Sequence, residues 1–293
     1  MPRISVLMPA HNAERYVHEA VRSAVRSLPR DAEIVVLDDA SSDGTSTVVD
    51  RIRDRRVRLV TSETNLGAPA AMRWLMANTD SEFVARLDSD DLALPRRFPR
   101  QLAEIKAGAD VSFGKLMFFG EGYEGPKVQN SARLDPDEVA LALLIGCPLG
   151  HSTMLGRRSV FGDNAYPDCP AEDYTTWMDI AARGHRIVMS DRPFAKYRKH
   201  VGQLTQNVEW REKRTTEAEI VRSAYDALCR RVLGVTPSPD HPIWGSWALD
   251  TTADQGVVDK IVGRVRSLGD RPRAHLTTML GWHGQAGRVG ADG

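Results

Sequence analysis

Three cysteines in 293 residues, Cys147, Cys169 and Cys229, cannot all pair and stand at no metal-ligand spacing. That argues against a disulfide-stapled secreted scaffold and makes a reducing, cytoplasmic setting the expectation. Excess charge of one sign is also missing. The 39 Lys and Arg residues balance 39 Asp and Glu residues, so no global field draws the chain to nucleic acid or to an anionic membrane. No run approaches the ~18 consecutive apolar residues of a membrane-crossing helix. The N-terminus enters a strand pattern by Ile4 without the charged region and long apolar core of a secretory leader. Peripheral attachment at the inner face of a membrane, through the C-terminal segment, stays open. The turn after the first strand reads Pro9-Ala10-His11-Asn12-Ala13 and lacks the glycine fingerprint of a dinucleotide site, which argues against an oxidoreductase. There is no repeat at solenoid spacing.

What is present is an ordinary globular composition, 42% apolar and 27% charged, on a chain long enough for one large α/β domain or two smaller ones. The first hundred residues alternate strand and helix patterns. Ile4 to Met8 is a β-rich run. Val17, Ala20, Val21, Ala24, Val25 and Leu28 then form a helical stripe. Ile34 to Leu37 is continuously apolar, as in a strand buried on both faces of a parallel sheet. It ends at Asp38-Asp39, and Ser41 to Thr45 offers helix-cap chemistry. Val57 to Val60 gives a third strand. Asn65-Leu66-Gly67 turns into a helix around Ala70 to Ala77, and Phe83 to Leu87 runs into Asp88-Ser89-Asp90-Asp91. The alternation predicts a doubly wound sheet with right-handed crossovers, whose ligands bind beyond the carboxyl ends of the strands. The acidic clusters fall at those ends. Further on, Asp135-Pro136 caps a helix to about Ile145, Gly150 to Leu155 reads as a strand, and Ala171 to Arg183 as a helix opened by Glu172-Asp173. Val208 to Leu233 is a charged, helix-compatible segment, Thr236 to Pro239 a linker, and Gly284 to Gly293 a frayed tail.

Asp88 and Asp90, two apart on an extended backbone, would face one side and converge on a hard cation such as Mg²⁺ or Mn²⁺. The plainer account is a solvated acidic turn. Asp39 can accept hydrogen bonds from a ribose or a base, or cap the following helix. Asp173 can act as a general base, or merely favour a helix N-terminus together with Glu172. His151 and His200 are further candidates.

These segments gain specificity together. Met8 to Glu14, Leu37 to Thr45, Asn65-Leu66-Gly67, Ala85 to Asp91, Leu94 to Phe98, His151 to Leu155, Arg157 to Val160, Glu172 to Trp177 and Tyr197 to His200 follow the order and approximate spacing of the family 2 glycosyltransferases, which the chain resembles over residues 2–205. The resemblance implies a GT-A fold: a Rossmann-like, mostly parallel α/β sheet, here with a C-terminal helical extension. It also implies a nucleotide-sugar donor, UDP-linked by preference, and an inverting mechanism. Position by position, it puts Pro9, Ala10, Asn12, Asp39, Gly67, Asp88 and Ser89 around the donor, with Asp39 reaching the base. It makes Asp88, Asp90 and His200 the ligands of Mn²⁺ or Mg²⁺, with Asp90 favoured as the direct one, and Asp173 the catalytic base. Two departures are His11, where Tyr is usual, and a loop carrying Pro167, Cys169 and Pro170 in place of a glycine-rich turn. The chain divides as 1–115 for the donor, 116–205 for the acceptor and catalysis, and 206–293 for the extension and tail. A sugar nucleotidyltransferase would want a glycine- and basic-rich first loop, and a non-catalytic binding module would lack Asp90 or Asp173. The acceptor is open among glycan, lipid carrier, peptide and small natural product, and a homodimer is compatible.

Overall fold

The structure is a computed structural model that describes residues 2–163, 165–169, 171–203, 219–241 and 254–281. Its first half is the expected βα alternation. β1 (Ile4–Ala10), α1 (Val17–Ser27), β2 (Ala32–Asp39), α2 (Thr45–Asp50), β3 (Val57–Ser62), α3 (Ala68–Ala77) and β4 (Phe83–Arg86) follow one another. All four strands are parallel, in spatial order 3-2-1-4, with Val6 opposite Ile34 on one side and Ala85 on the other. β2 is continuously apolar because both its faces are covered. Ile34 and Val36 join α1 in one apolar layer, while Val35 and Leu37 join α3 in the other.

The sheet then continues with β5 (Leu92–Ala93), α4 (Arg97–Lys106), β6 (Val111–Gly120), β7 (Lys127–Val128), α5 (Pro136–Ile145), β8 (Leu155–Arg157), α6 (Glu172–Ala182) and β9 (Ile187–Lys199). β8 inserts antiparallel between β4 and β6, β9 lies parallel to β6, and β5 and β7 pair antiparallel to β9 and β6. The sheet is thus mixed but mostly parallel. α7 (Glu219–Leu233), α8 (Gln255–Arg266) and α9 (Asp270–Gly281) complete the described chain. α7 buries Val221, Tyr225, Leu228, Cys229 and Leu233 in the same apolar cluster as α5 and α6. The helical extension therefore shares the core of residues 116–205.

Several local expectations are corrected. Gly150 to Leu155 is not one strand. His151–Thr153 is a single 3₁₀ turn, in which the Thr153 hydroxyl donates to Gly150 O at 2.7 Å, and the strand starts only at Leu155. A side chain that satisfies a nearby carbonyl competes with the ladder there. Asp88-Ser89-Asp90 is a turn rather than an extended segment, closed by Asp91 N donating to Asp88 O at 3.1 Å. The Ser41 to Thr45 stretch does cap α2, through Gly44 as N-cap and the Asp43 carboxylate, which accepts the Thr45 N–H at 3.0 Å. α6 does open at Glu172-Asp173 as expected, with Ala171 as N-cap, and neither carboxylate is itself the cap. Of the Val208 to Leu233 segment, 219–233 is helical. Residues 208–218, Pro170 and the tail from Gly284 lie outside the described residues.

Candidate active site

A cleft of about 1080 Å³ opens beyond the carboxyl ends of β1, β2 and β4 and reaches the first turn of α6. Pro9, Ala10, Asn12, Asp39, Gly67, Asp88, Ser89, Asp90, Asp173 and His200 all line it, although they come from six separate stretches of sequence. The parallel strands bring the early ones together, and the return of β9 delivers His200 from more than a hundred residues away.

At the β1–β2 end, Asp39 accepts the Leu66 and Gly67 N–H groups at 2.7 and 3.0 Å. It therefore holds the loop after β3 against the cleft and keeps lone pairs to spare. Gly67 has φ +78°, a left-handed conformation that glycine adopts without strain. Asn12, also left-handed at φ 51°, accepts Ser42 N at 2.9 Å and fastens the β2–α2 loop. His11 Nδ1 lies 2.7 Å from the Asp39 carbonyl, an acceptor, so Nδ1 carries the proton. Nε2 is then free to accept from Asn12 Nδ2 at 3.0 Å.

The acidic turn is divided in its duties. Asp88 Oδ1 takes Arg86 Nε at 2.7 Å and Nη2 at 2.5 Å, and Oδ2 takes the Ser152 hydroxyl at 2.7 Å. Burial opposes its ionisation, yet Arg86 and Ser152 together hold its carboxyl below the usual range. Asp90 lacks such support. Burial and then the charge of Asp88 push it up, although its Oδ2 lies 2.9 Å from His200 Nε2. His200 Nδ1 faces the Val201 carbonyl at 2.8 Å and must donate there, so a neutral imidazole turns its bare Nε2 toward the carboxylate. Two lone-pair atoms at that distance call for a shared proton or a cation. Tyr16 packs over the His200 ring at 4.6 Å and fixes its plane.

At the far end, Asp173 accepts the Tyr174 N–H at 2.7 Å and otherwise faces the cleft. Glu172 beside it is pushed up to about 8, by burial first and by Asp173 second. His151 lies between Tyr166 and Trp177, with ring centroids 5.5 and 5.8 Å away, and burial and then Arg86 push it down to about 4. It is a neutral imidazole in the cleft wall. Arg86, Ser152, Tyr16 and Lys199 are cleft residues to which sequence reasoning gave no role. For Arg86 a signal existed: an arginine inside an otherwise apolar strand, two residues before an aspartate, is costly to bury unless paired.

The model of glycosyl transferase family 2 matches residues 5–163, more than half of the chain and including β1 through β8. The chain belongs to this family. It is accordingly an enzyme of the glycosyltransferase class. An uncharacterised glycosyltransferase of Haemophilus influenzae is 26% identical over 239 residues, which cover 75% of this chain and 72% of that one. The Escherichia coli protein WfaP, a UDP-Glc:α-D-GlcNAc-diphosphoundecaprenol β-1,3-glucosyltransferase, is 25% identical over 210 residues, 71% of this chain and 81% of WfaP. Among solved structures, S. aureus TarS in complex with UDP-GlcNAc superposes with a TM-score of 0.60 at 20% identity, over 99% of this chain and 88% of that one. The fold is therefore the GT-A fold expected of family 2. Among the described residues, no helix is long and apolar enough to cross a membrane.

Proposed function

We propose that this family 2 glycosyltransferase moves a sugar with inversion from a UDP-sugar donor to an acceptor hydroxyl, with Asp173 as general base. The observation that carries this reading is the single cleft, which joins the donor-side residues at the ends of β1, β2 and β4 to Asp173 on α6. The UDP-GlcNAc bound to TarS and the UDP-glucose used by WfaP support a uridine donor. The base and ribose would lie along Pro9, Ala10, Asn12, Gly67 and Ser89, with Asp39 accepting from the base. In the chemical step, Asp173 takes the acceptor's hydroxyl proton as that oxygen bonds to the anomeric carbon. The bond from that carbon to the diphosphate breaks on the opposite face, and UDP departs with the electron pair. Glu172, pushed up to about 8 by burial and then by Asp173, holds its proton near pH 7. Arg86 and Ser152 orient Asp88 toward the diphosphate end.

The residues fit a divalent cation. The carboxylate of Asp90 and Nε2 of His200, 2.9 Å apart, form an oxygen–nitrogen donor pair that suits Mn²⁺ or Mg²⁺ once no proton is shared between them. Asp88, already bonded to Arg86 and Ser152, supplies negative potential more than a free ligand atom. Among the described residues no cluster of three or more His, Cys, Asp or Glu side chains forms a closed cage. This is the open, two-donor pattern of a site shared with substrate phosphates. When bound, such a cation supplies charge neutralisation to the leaving diphosphate.

The test is calorimetry of UDP and of Mn²⁺, each alone and together, followed by UDP release from a UDP-sugar panel. Metal and UDP are expected to bind synergistically, with release abolished by chelator and restored by Mn²⁺ or Mg²⁺. In Asp90→Asn and His200→Gln the synergy should vanish while UDP alone still binds. Full activity in excess chelator would contradict the metal assignment.

A further inference from the structure

β6 and β9 end side by side, with Phe118 opposite Tyr197 and Gly120 opposite Lys199, and β7 pairs on the other edge with Lys127 opposite Phe118. Strand alternation puts Phe118, Tyr197 and Lys199 on one face of this ribbon. Tyr123, in the β6–β7 connection, stacks on Phe118 at 6.3 Å and 17°, and Tyr197 meets it edge-on at 5.8 Å and 76°. Two lysines lie over these rings. Lys199 Nζ is 4.8 Å from the Tyr197 centroid, and Lys127 Nζ is 5.8 Å from that of Tyr123. Among the described residues neither lysine has a carboxylate within ion-pair distance. On the opposite face Arg198, over Phe119 and Tyr16, is paired with Glu19 at 2.7 Å, and Lys196 lies over Phe119 at 5.7 Å. Phe118, Tyr197 and Lys199 are also walls of the cleft, so the ribbon face runs into the site.

Aromatic faces pack well against the C–H faces of a sugar ring, and cations without counter-ions await an anion. We propose that this ribbon face is the acceptor platform and that the acceptor is a phosphate-bearing saccharide. Its sugar ring lies on Phe118, Tyr123 and Tyr197, and its adjoining phosphate or diphosphate falls to Lys127 and Lys199. The proposal rests on the reading of the cleft as a glycosyl-transfer site whose donor lies at the ends of β1, β2 and β4.

The experiment measures, by calorimetry on the full chain saturated with UDP and Mn²⁺, the binding of three probes. They are octyl N-acetylglucosaminide, N-acetylglucosamine 1-phosphate, and N-acetylglucosamine joined through a diphosphate to an octyl chain. The first is neutral, the second carries a free phosphate, and the third imitates a lipid-carrier headgroup. Both phosphate-bearing probes are expected to bind about tenfold or more tighter than the neutral one, the scale of two partly screened ion contacts. The double variant Lys127→Gln/Lys199→Gln should bring that ratio near one, and Tyr123→Ala should weaken all three probes alike. Unfolding curves of both variants establish that they are folded. Tighter binding of the third probe than of the second assigns the anion to a lipid carrier, and equal binding assigns it to phosphate generally. Either supports the platform. No preference for phosphate in the unaltered protein, no binding of either phosphate probe, a preference that survives the double lysine change, or competition of these probes by UDP overturns it. Hydrolysis of a UDP-sugar by the unaltered protein is measured in parallel. If hydrolysis is present and the preference absent, the acceptor proposal alone has failed. If neither UDP binding nor hydrolysis occurs, the donor reading itself has failed.

Discussion

Asp173 occupies the second position of α6, and one of its oxygens accepts the Tyr174 N–H. Asn at that position keeps an acceptor for that N–H and removes the basic oxygen. Asp173→Asn is therefore expected to stay folded, to bind UDP with unchanged affinity and to lose about 10²–10⁴-fold in turnover, the usual general-base contribution. Steady-state kinetics beside UDP titration checks this, and retention of more than about a tenth of turnover would move the base elsewhere, with Glu172 next to test. Glu172 gives a second prediction through linkage. Its carboxyl is raised from 4.5 to about 8 in the folded chain, so between those values the folded state holds a proton that the unfolded state has lost. Its contribution to stability is full below pH 4.5 and declines as the pH rises toward about 8. Glu172→Gln should flatten that decline in urea midpoints measured from pH 5 to 8, and an unchanged slope would contradict the assignment. At this scale the sequence was most informative where chemistry and backbone agree. Asp39, Asp88, Asp90 and Asp173 were legible because each ends a strand or opens a helix. The resemblance favoured Asp90 over Asp88 as the direct metal ligand, but the physical partition between them was not legible, because it depends on Ser152 and His200, which only the folded sheet brings near.

β6 and β9 make up the widest pairing in the second half of the sheet, and their register shifts around Lys115. Gly114 sits at that irregularity because a Cβ there would stand 2.2 Å from the Phe194 ring and 2.8 Å from the Arg192 carbonyl. Gly114→Ala is therefore expected to destabilise by about 1–3 kcal/mol, the overpacking range, read as a lower urea midpoint with an unchanged slope. A neutral effect would mean that the two strands can part without cost. Elements with strong periodicity, such as α1 and the β1–β4 run, could be read directly, since one apolar stripe or one continuous apolar run has a single buried solution. The stretch from Gly150 to Leu155 could not. Its apolar content suits a strand, and only the local bonds of Thr153 and the position of β8 between β4 and β6 decide that most of it is a turn.

Over the whole molecule, the two apolar layers are unequal. The layer under α1 is drawn mainly from the first half and α4, with Leu155 and Val188 added from β8 and β9, whereas the other runs from α3 through α5 and α6 to α7, α8 and α9. The sequence showed the helical extension but not that its apolar faces finish the core beneath the acceptor half, because nothing in its period says which partner it covers. The consequence for function is rigidity. α6, which carries Glu172 and Asp173, is packed between the sheet and α7, with Trp177 edge-on to Phe113 at 4.9 Å. A base held by a helix fixed on two sides keeps its distance to the donor end of the cleft, as catalysis by positioning requires.

The central claim is inverting transfer from a UDP-sugar across this cleft. Its most direct test is time-resolved proton NMR of a UDP-α-sugar incubated with the enzyme and Mn²⁺, where water serves as acceptor and the anomer formed first is read before mutarotation. The account predicts that the β-anomer appears first and that Asp173→Asn suppresses its formation. First appearance of the α-anomer, or equal rates in the Asp173→Asn variant, would contradict it.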